Sequence, residues 1–487
     1  MTHWFLLALL GLATYLILER GVAKVTTVAW QWLWVVIMLP PLVVVLSQTV
    51  WASPPPTLLV LALFVGSYVV SIILLQRGKL KIPPPPPMPV TSATAEADAA
   101  NPIQHVPISE VSRDQVSGCF PWEVFQVQKV EYRPQAIICR GNLRTEAEAA
   151  YTQVADKVAA HFGERFLLVL QEGLAGKPFF ALVPNTSAQR DPAAKESPWL
   201  AIALAVATLI TLVTASIPAP LMTLADLRDP EVLIPRFSYA LALLVIIGAH
   251  EWSRFVTARR HGVATSWPYF IPVPFALGTF GALVNLKAPV PNRKVLFDLA
   301  TSGPVVGGSL ALLMLLIGLS QSTVAPFPAA EEGQVLVTLQ NIDPRFSLFL
   351  TLVSKIVLGS TWGADQIIQL HPLAFAGWVG LLIIAFNLTP VGQLDGGHMV
   401  HAIYGQAMGA SIGRIARILV LLVALSGQPL LMMWAILLFF ITSADEPALN
   451  DVTELDEGRD FLGLGLLALM VLIVVPTPVF LQTLIGV

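Results

Sequence analysis

The sequence predicts a mainly α-helical protein, a polytopic bundle of transmembrane helices with a small soluble α+β domain inserted between the third and fourth spans. Three observations lead there. Of 487 residues, 55% are hydrophobic and 12% charged, and the mean hydropathy is +0.72, more apolar than a chain that faces water on all sides. Apolar runs long enough to cross a hydrocarbon core, about 20 residues of helix, recur along the chain. A long polar stretch beginning at Pro83 interrupts them. The net charge of −3 supplies no basic field of the kind nucleic acid requires, so nucleic-acid binding is not supported.

The spans read, in order, as His3 to Leu18, Val28 to Val50, Thr57 to Gln76, Trp199 to Ile217, Tyr239 to Ala258, Pro304 to Leu319, His371 to Leu388 and Phe461 to Leu484. Between the last two, Ile415 to Ile441 is interrupted by Ser426, Gly427, Gln428 and Pro429, which makes it two short spans. The first run has no basic start and is followed by Glu19 and Arg20 rather than a small-residue cleavage site, so it is expected to be retained. Arg20 and Lys24, then Arg77, Lys79 and Lys81, then Arg259 and Arg260 follow the first, third and fifth spans. If every span crosses once, all three clusters fall on one face, which the positive-inside rule makes the cytoplasmic one or its organellar equivalent. The soluble domain is expected there too.

Residues 1–82 are thus three N-terminal transmembrane helices. Residues 83–108 open with five prolines, Pro83 to Pro87, and read as a stiff spacer leading into a tether. Residues 109–184 form the soluble domain: strands within Phe125 to Cys139, a helix from Thr145 to Phe162, and strands Arg165 to Leu170 and Pro178 to Val183 about the turn Gly173 to Gly176. Its Cys119 and Cys139 are the chain's two cysteines; they read as two reduced thiols, one disulfide being the alternative. Residues 198–487 form the second transmembrane region. The polar stretch Thr323 to Arg345 within it carries no recognisable chemistry.

Chemistry concentrates on the fifth and seventh spans. The fifth carries His250, Glu251, Trp252, Ser253 and Arg254, and ionisable residues at membrane depth are costly and usually functional. In the HExxH pattern two histidines at i and i+4 lie about 6 Å apart along one helical face and share a metal, while the glutamate activates its water. Here the i+4 position is Arg254. The seventh span ends in Asn387, Leu388, Thr389, Pro390, Val391, Gly392, Gln393, Leu394, Asp395, Gly396, Gly397 and His398, where the polar groups must face protein or water.

With these motifs the chain resembles the site-2 protease family of membrane-embedded zinc metallopeptidases, from about Ser238 to Asp456. The Asn387 to Gly396 motif is the most specific part. Gly141, Asn142, Leu143 and Arg144 in the soluble domain resemble the plant chloroplast and cyanobacterial branch, the ethylene-dependent gravitropism-deficient and yellow-green proteases. The resemblance implies Zn2+ as cofactor, with His250 and Asp395 as ligands, Glu251 as the water-activating base and Asn387 as a contact to substrate or oxyanion. It also implies transmembrane protein segments as partners and a plasma or thylakoid membrane of a photosynthetic organism. The departure is Arg254, which stands where the family has a histidine. Arginine keeps its proton and offers no lone pair, and catalytic zinc generally uses three protein ligands. Arg254 is instead placed to pair with Glu251 or Asp395. His261 lies about 16 Å further along the helix, out of reach, whereas His398 is within reach of Asp395 as a replacement ligand.

Three functions compete: an active zinc endopeptidase cutting within the bilayer, a pseudoprotease that binds or scaffolds transmembrane segments, and a transporter. The last explains none of the motifs, and ligand number favours the second. His401 and Tyr404 read as interfacial anchors, Trp30, Trp32 and Trp34 as an aromatic belt, and Asp445 to Asp460 as a solvated acidic loop. Gly141, Asn142, Leu143 and Arg144 read as a substrate-binding or structural motif, in which Arg144 is a salt-bridge partner at a helix start or else binds substrate tails or an anionic group.

Overall fold

The computed structural model describes residues 30–50, 113–133, 136–173, 176–185, 198–214, 229–273, 278–326, 341–363, 366–424, 429–438 and 445–487, with a few isolated residues elsewhere. The first span apart from Gly11, the third apart from isolated residues, and the tether 83–108 lie outside them. Two compact units divide at residues 105 and 106. In the first, α1 (Trp30–Val50) is the described element. Trp34 Nε1 donates to the Gly11 carbonyl at 2.8 Å and Ser67 Oγ to the Val36 carbonyl at 2.5 Å, so turns of this unit are pinned by side chains as well as by apolar packing.

The second unit begins with α2 (Arg113–Gly118), β1 (Phe125–Arg133), β2 (Ala136–Leu143), α3 (Ala147–Phe162), β3 (Phe166–Glu172) and β4 (Pro178–Pro184). The strands form an antiparallel sheet in the order β1-β2-β4-β3. The helix α3 buries Ala150, Val154, Val158 and Phe162, the fourfold spacing of one apolar stripe. Phe120, Phe125 and Phe180 fill the core beneath, with ring centroids 4.9–5.7 Å apart. Cys119 and Cys139 are both buried free thiols. The strand β2 runs on past Cys139 through Gly141, Asn142 and Leu143, which pair with Val127, Gln126 and Phe125. The Gly141–Leu143 motif is therefore sheet, not a connection.

Then follow α4 (Pro198–Thr214), α5 (Pro230–Arg260), β5 (Tyr269–Pro272), β6 (Thr279–Leu283), α6 (Arg293–Leu319), β7 (Thr323–Pro326), β8 (Asn341–Ile342), α7 (Leu348–Leu358), β9 (Gln366–Gln369), α8 (Pro372–Asn387), α9 (Asp395–Tyr404), α10 (Gln406–Ala424), α11 (Pro429–Leu438), α12 (Glu457–Val474) and α13 (Val479–Ile485). The protein is mainly helical. Among the described residues, α5, α6 and α10 are long and apolar enough to cross a membrane, and α12 with α13 makes a fourth candidate bent by 86°. The expected straight span Phe461 to Leu484 is thus broken, because Pro476 and Pro478 remove two backbone donors and clash with the preceding turn. The polar stretch after α6 contributes β7 and β8, which flank β9 in a three-stranded antiparallel sheet.

The core of this region is the packing of α6 against α5 and α8. Leu243 and Ile246 from α5, Ala311 and Leu315 from α6, and Ala374 and Leu381 from α8 are all buried. Tyr239 stacks on Phe375 with centroids 5.0 Å apart, locking α5 to α8 about three turns before His250.

The expected solvated loop Asp445 to Asp460 is not solvated at its start. Asp445, Asn450, Asp451 and Thr453 are buried. Residues 449–451 form a strap joined on one side to the soluble sheet, Leu170 N donating to the Leu449 carbonyl at 2.7 Å and Asp451 N to the Leu170 carbonyl at 2.9 Å. On its other side Leu449 N and Asn450 N donate to the Val290 and Pro291 carbonyls, both at 2.9 Å. A backbone with both edges paired cannot also be hydrated, and that pairing is why the acidic run is buried here.

Candidate functional site

The site is built where α5 meets the start of α9. Asp229 caps α5 by accepting from Glu231 N, Pro230 occupies its first turn, and Arg259 and Arg260 stand at its C-terminal end, where the helix dipole favours cations. Mid-helix, His250 and Glu251 are buried, each 4% exposed, although a histidine and a glutamate would ordinarily seek water. Room for the imidazole comes from α6: a Cβ on Gly303 would lie 2.7 Å from His250 Nε2. Asp395 opens α9, where the unpaired amides of the first turn favour a carboxylate. Gly396 lets α9 press onto the turn that ends α8, since a Cβ there would strike the Leu388 carbonyl oxygen. This contact brings Asp395, also 4% exposed, to the α5 residues.

His250 Nε2 lies 3.3 Å from Asp395 Oδ2, and His250 Nδ1 lies 3.1 Å from Glu251 Oε1. Arg254 closes the group: its Nη1 stands 3.3 Å from Asp395 Oδ1 and 3.9 Å from Glu251 Oε1. Two carboxylates therefore share one permanent cation and one imidazole. Among the described residues His250 Nε2, Glu251 Oε2 and Asp395 Oδ2 have no aligned hydrogen-bond partner.

Asn387 is the last residue of α8, half-buried, directly before Leu388, so it belongs to the same turn that seats Asp395. His398 Nδ1 meets Asp445 Oδ2 at 2.7 Å. That contact engages one ring nitrogen and not the other, Nε2, so the expectation for His398 as a replacement ligand stays a matter for experiment. His261 pairs with Asp298 at 3.1 Å, and Arg459 also grips that carboxylate through Nε and Nη2 at 2.8 and 3.0 Å. Gly141, Asn142, Leu143 and Arg144 belong to the soluble sheet, where Arg144 Nη2 donates to Gln126 Oε1 at 2.8 Å rather than to a carboxylate.

The residues present do not fit a catalytic zinc ion. His250 Nε2 and Asp395 Oδ2 lie 3.3 Å from each other, and a glycine cradles the ring. The third position is a guanidinium that holds a fixed positive charge where a dication would need a lone pair. No three of the described His, Cys, Asp or Glu side chains are grouped so as to hold a metal.

A second polar cluster went unread in the sequence. His401, 1% exposed, has its Nδ1 2.8 Å from Asp445 Oδ2 and its Nε2 2.8 Å from Asp451 Oδ1. It is a buried link between α9 and the strap, not an interfacial anchor, because two carboxylates satisfy both ring nitrogens. Tyr404, 45% exposed, does reach the surface. Burial pushes the His401 imidazole down, but its two aspartates win and raise its pKa to about 9. Burial alone would raise Asp445, yet hydrogen bonds with His398 and His401 hold it down at about 2. The available signal was two histidines one turn apart, His398 and His401, in a chain whose acidic residues gather about 50 residues on.

A family profile described as Peptidase family M50 matches residues 238–427, and one described as EGY3 middle domain matches residues 114–192. Over 377 residues the chain is 29% identical to probable zinc metalloprotease EGY2, chloroplastic, of Oryza sativa subsp. indica, covering 76% of this chain and 66% of that protein. It is 35% identical over 253 residues to probable zinc metalloprotease EGY1, chloroplastic, of Arabidopsis thaliana, covering 51% and 45%. With probable zinc metallopeptidase EGY3, chloroplastic, of Arabidopsis thaliana the identity is 26% over 384 residues, covering 74% and 65%. The chain spans about two thirds or less of the length of these relatives. No solved structure matches it.

Proposed function

Since this chain carries a peptidase family M50 domain and is a homologue of the chloroplastic EGY proteins, we propose that it is a pseudoprotease. It keeps the membrane-embedded scaffold of that family and binds or scaffolds transmembrane segments of other proteins without cutting them. The observation that carries this reading is Arg254 Nη1 at 3.3 Å from Asp395 Oδ1. The arginine supplies the positive charge that two buried carboxylates require, so the site is electrostatically closed by protein alone. Breaking such a pair leaves an uncompensated buried charge and costs about 3–5 kcal/mol. Glu251, partnered with His250 and near Arg254, has no activated water to handle.

The second reading is an active zinc metalloendopeptidase performing regulated intramembrane proteolysis. That His250 Nε2, Asp395 Oδ2 and Glu251 Oε2 lack an aligned hydrogen-bond partner among the described residues favours it. In either reading the protein belongs in the lipid bilayer, in a thylakoid or plasma membrane, with the soluble domain on the stromal or cytoplasmic side as the basic residues after the spans direct.

Purified full chain in lipid nanodiscs, offered a panel of single-span reporter proteins labelled at both ends, separates the two. The proposal predicts reporters captured intact, and equally by the unmodified protein and Glu251→Gln. Cleavage that disappears in Glu251→Gln would overturn it.

A further inference from the structure

We propose that the soluble sheet carries a peptide-binding site at the outer edge of β1, which takes an extended segment presenting an apolar and an acidic side chain on one face. Four observations converge there. Among the described residues β1 is paired on one side only, with β2, so its outer edge from Gln126 to Val130, beside the cavity, has no strand partner and can accept one. A cavity of about 310 Å3 lies beside that edge, lined by Ser117, Phe120, Trp122, Val127, Gln128 and Val130. Trp122 on its rim is 67% exposed, an unusual position for the side chain that most often anchors a protein interface. The fourth observation is charge.

Along the far half of β1 each cation has a carboxylate within reach, the shared Glu131, at 3.0 Å from Lys129, 3.3 Å from Arg133 and 3.5 Å from Arg140. A bulge between Val127 and Lys129 also disturbs pairing at that point. The near half is different. Arg144 lies over the Trp122 ring, 5.5 Å from its centroid, and donates to Gln126, but among the described residues it has no carboxylate partner. An exposed guanidinium held flat by an indole and an amide is ordered for a bidentate anion, and a carboxylate is the anion a peptide provides.

The Gly141–Arg144 motif thereby acquires a task. Gly141 lets β2 press on Gln126, whose carbonyl a Cβ would strike. Leu143 pairs with Phe125 behind the cavity, and Arg144 N bonds the Val124 carbonyl at 3.0 Å, which fixes the guanidinium at the rim. A lipid headgroup would use the arginine but not the free strand edge, so a peptide is the better match. The site is independent of the His250 and Asp395 chemistry.

A phage-displayed library of random twelve-residue peptides, selected against the full chain in phosphatidylcholine nanodiscs, tests this. Enriched peptides should pair an apolar with an acidic residue and protect β1 amides from hydrogen exchange. In fluorescence anisotropy Trp122→Ala and Arg144→Glu should each weaken them roughly tenfold or more, while Arg254→His leaves affinity unchanged. Selection against Arg144→Glu should enrich basic peptides instead, which also shows that variant to be folded. The proposal is overturned by no enrichment over empty nanodiscs, or by peptides that bind both rim variants as tightly as the unmodified protein. It is equally overturned if Trp122 governs affinity for anionic lipid vesicles and not for peptide.

Discussion

In the proposed reading Arg254 closes the site through its fixed charge, and Gly303 makes room for His250 through its missing side chain. The alanine at Gly303→Ala would bring a methyl to 2.7 Å from His250 Nε2, so the imidazole must move. Overpacking of this kind costs about 1–3 kcal/mol, and a lowered melting temperature of the detergent-solubilised variant is the expected result. An unchanged melting temperature would mean that His250 is not held where the structure has it. The fifth-span motif and Asp395 were legible as residues because ionisable groups stand out against an apolar background, and their pairing was legible because Arg254 sits one helical turn from His250. His401 was not legible in the same way. Its partners are 44 and 50 residues distant, and nothing in a local pattern announces a contact at that separation.

The elements carry the next set of consequences, chiefly through α9 and the strap 449–451. His401 folds with its pKa raised from 6.5 to about 9, so its contribution to stability is complete below pH 6.5 and is lost as pH rises through about 9. Asp445 folds with its pKa lowered from 3.8 to about 2; its contribution is complete above pH 3.8 and is lost as pH falls through about 2. The docking of the strap is therefore expected to be firmest between about pH 4 and pH 6.5. Amide exchange at Leu170 and Asp451 measured across pH, corrected for intrinsic rates, should show protection falling above pH 6.5; protection that rises there would contradict the assignment. Asp451→Ala leaves His401 Nε2 buried and unpartnered, a loss of about 1–3 kcal/mol, and should expose the Leu170 amide well before the rest of β3. The strands and helix of the soluble domain were readable from alternation and from the fourfold spacing of α3. The strap was not, because Leu449, Asn450 and Asp451 become sheet-like only through partners in β3 and before α6.

At the scale of the whole molecule the soluble domain and the membrane region meet through backbone pairing as well as through side chains such as Lys294, 2.8 Å from Glu148. We propose the domain boundaries 109–184, since the buried cluster around Phe125, Val154 and Phe180 is contained within them and only Val452 packs on it from outside. That fragment alone should express as a folded product, with β3 less protected from exchange than in the full chain; a disordered fragment would contradict the boundaries. Composition and apolar runs made the helical membrane class readable, whereas the 86° bend between α12 and α13 followed from two prolines that a hydropathy reading passes over. The central claim, that a protein cation has replaced the metal, is tested most directly by zinc analysis of the purified full chain and of Arg254→His, each after equilibration with buffered Zn2+. The account predicts little zinc in the unmodified protein and a clear rise toward one ion per chain in the variant, where an imidazole replaces the guanidinium beside His250 and Asp395. Stoichiometric zinc already bound by the unmodified protein would contradict it.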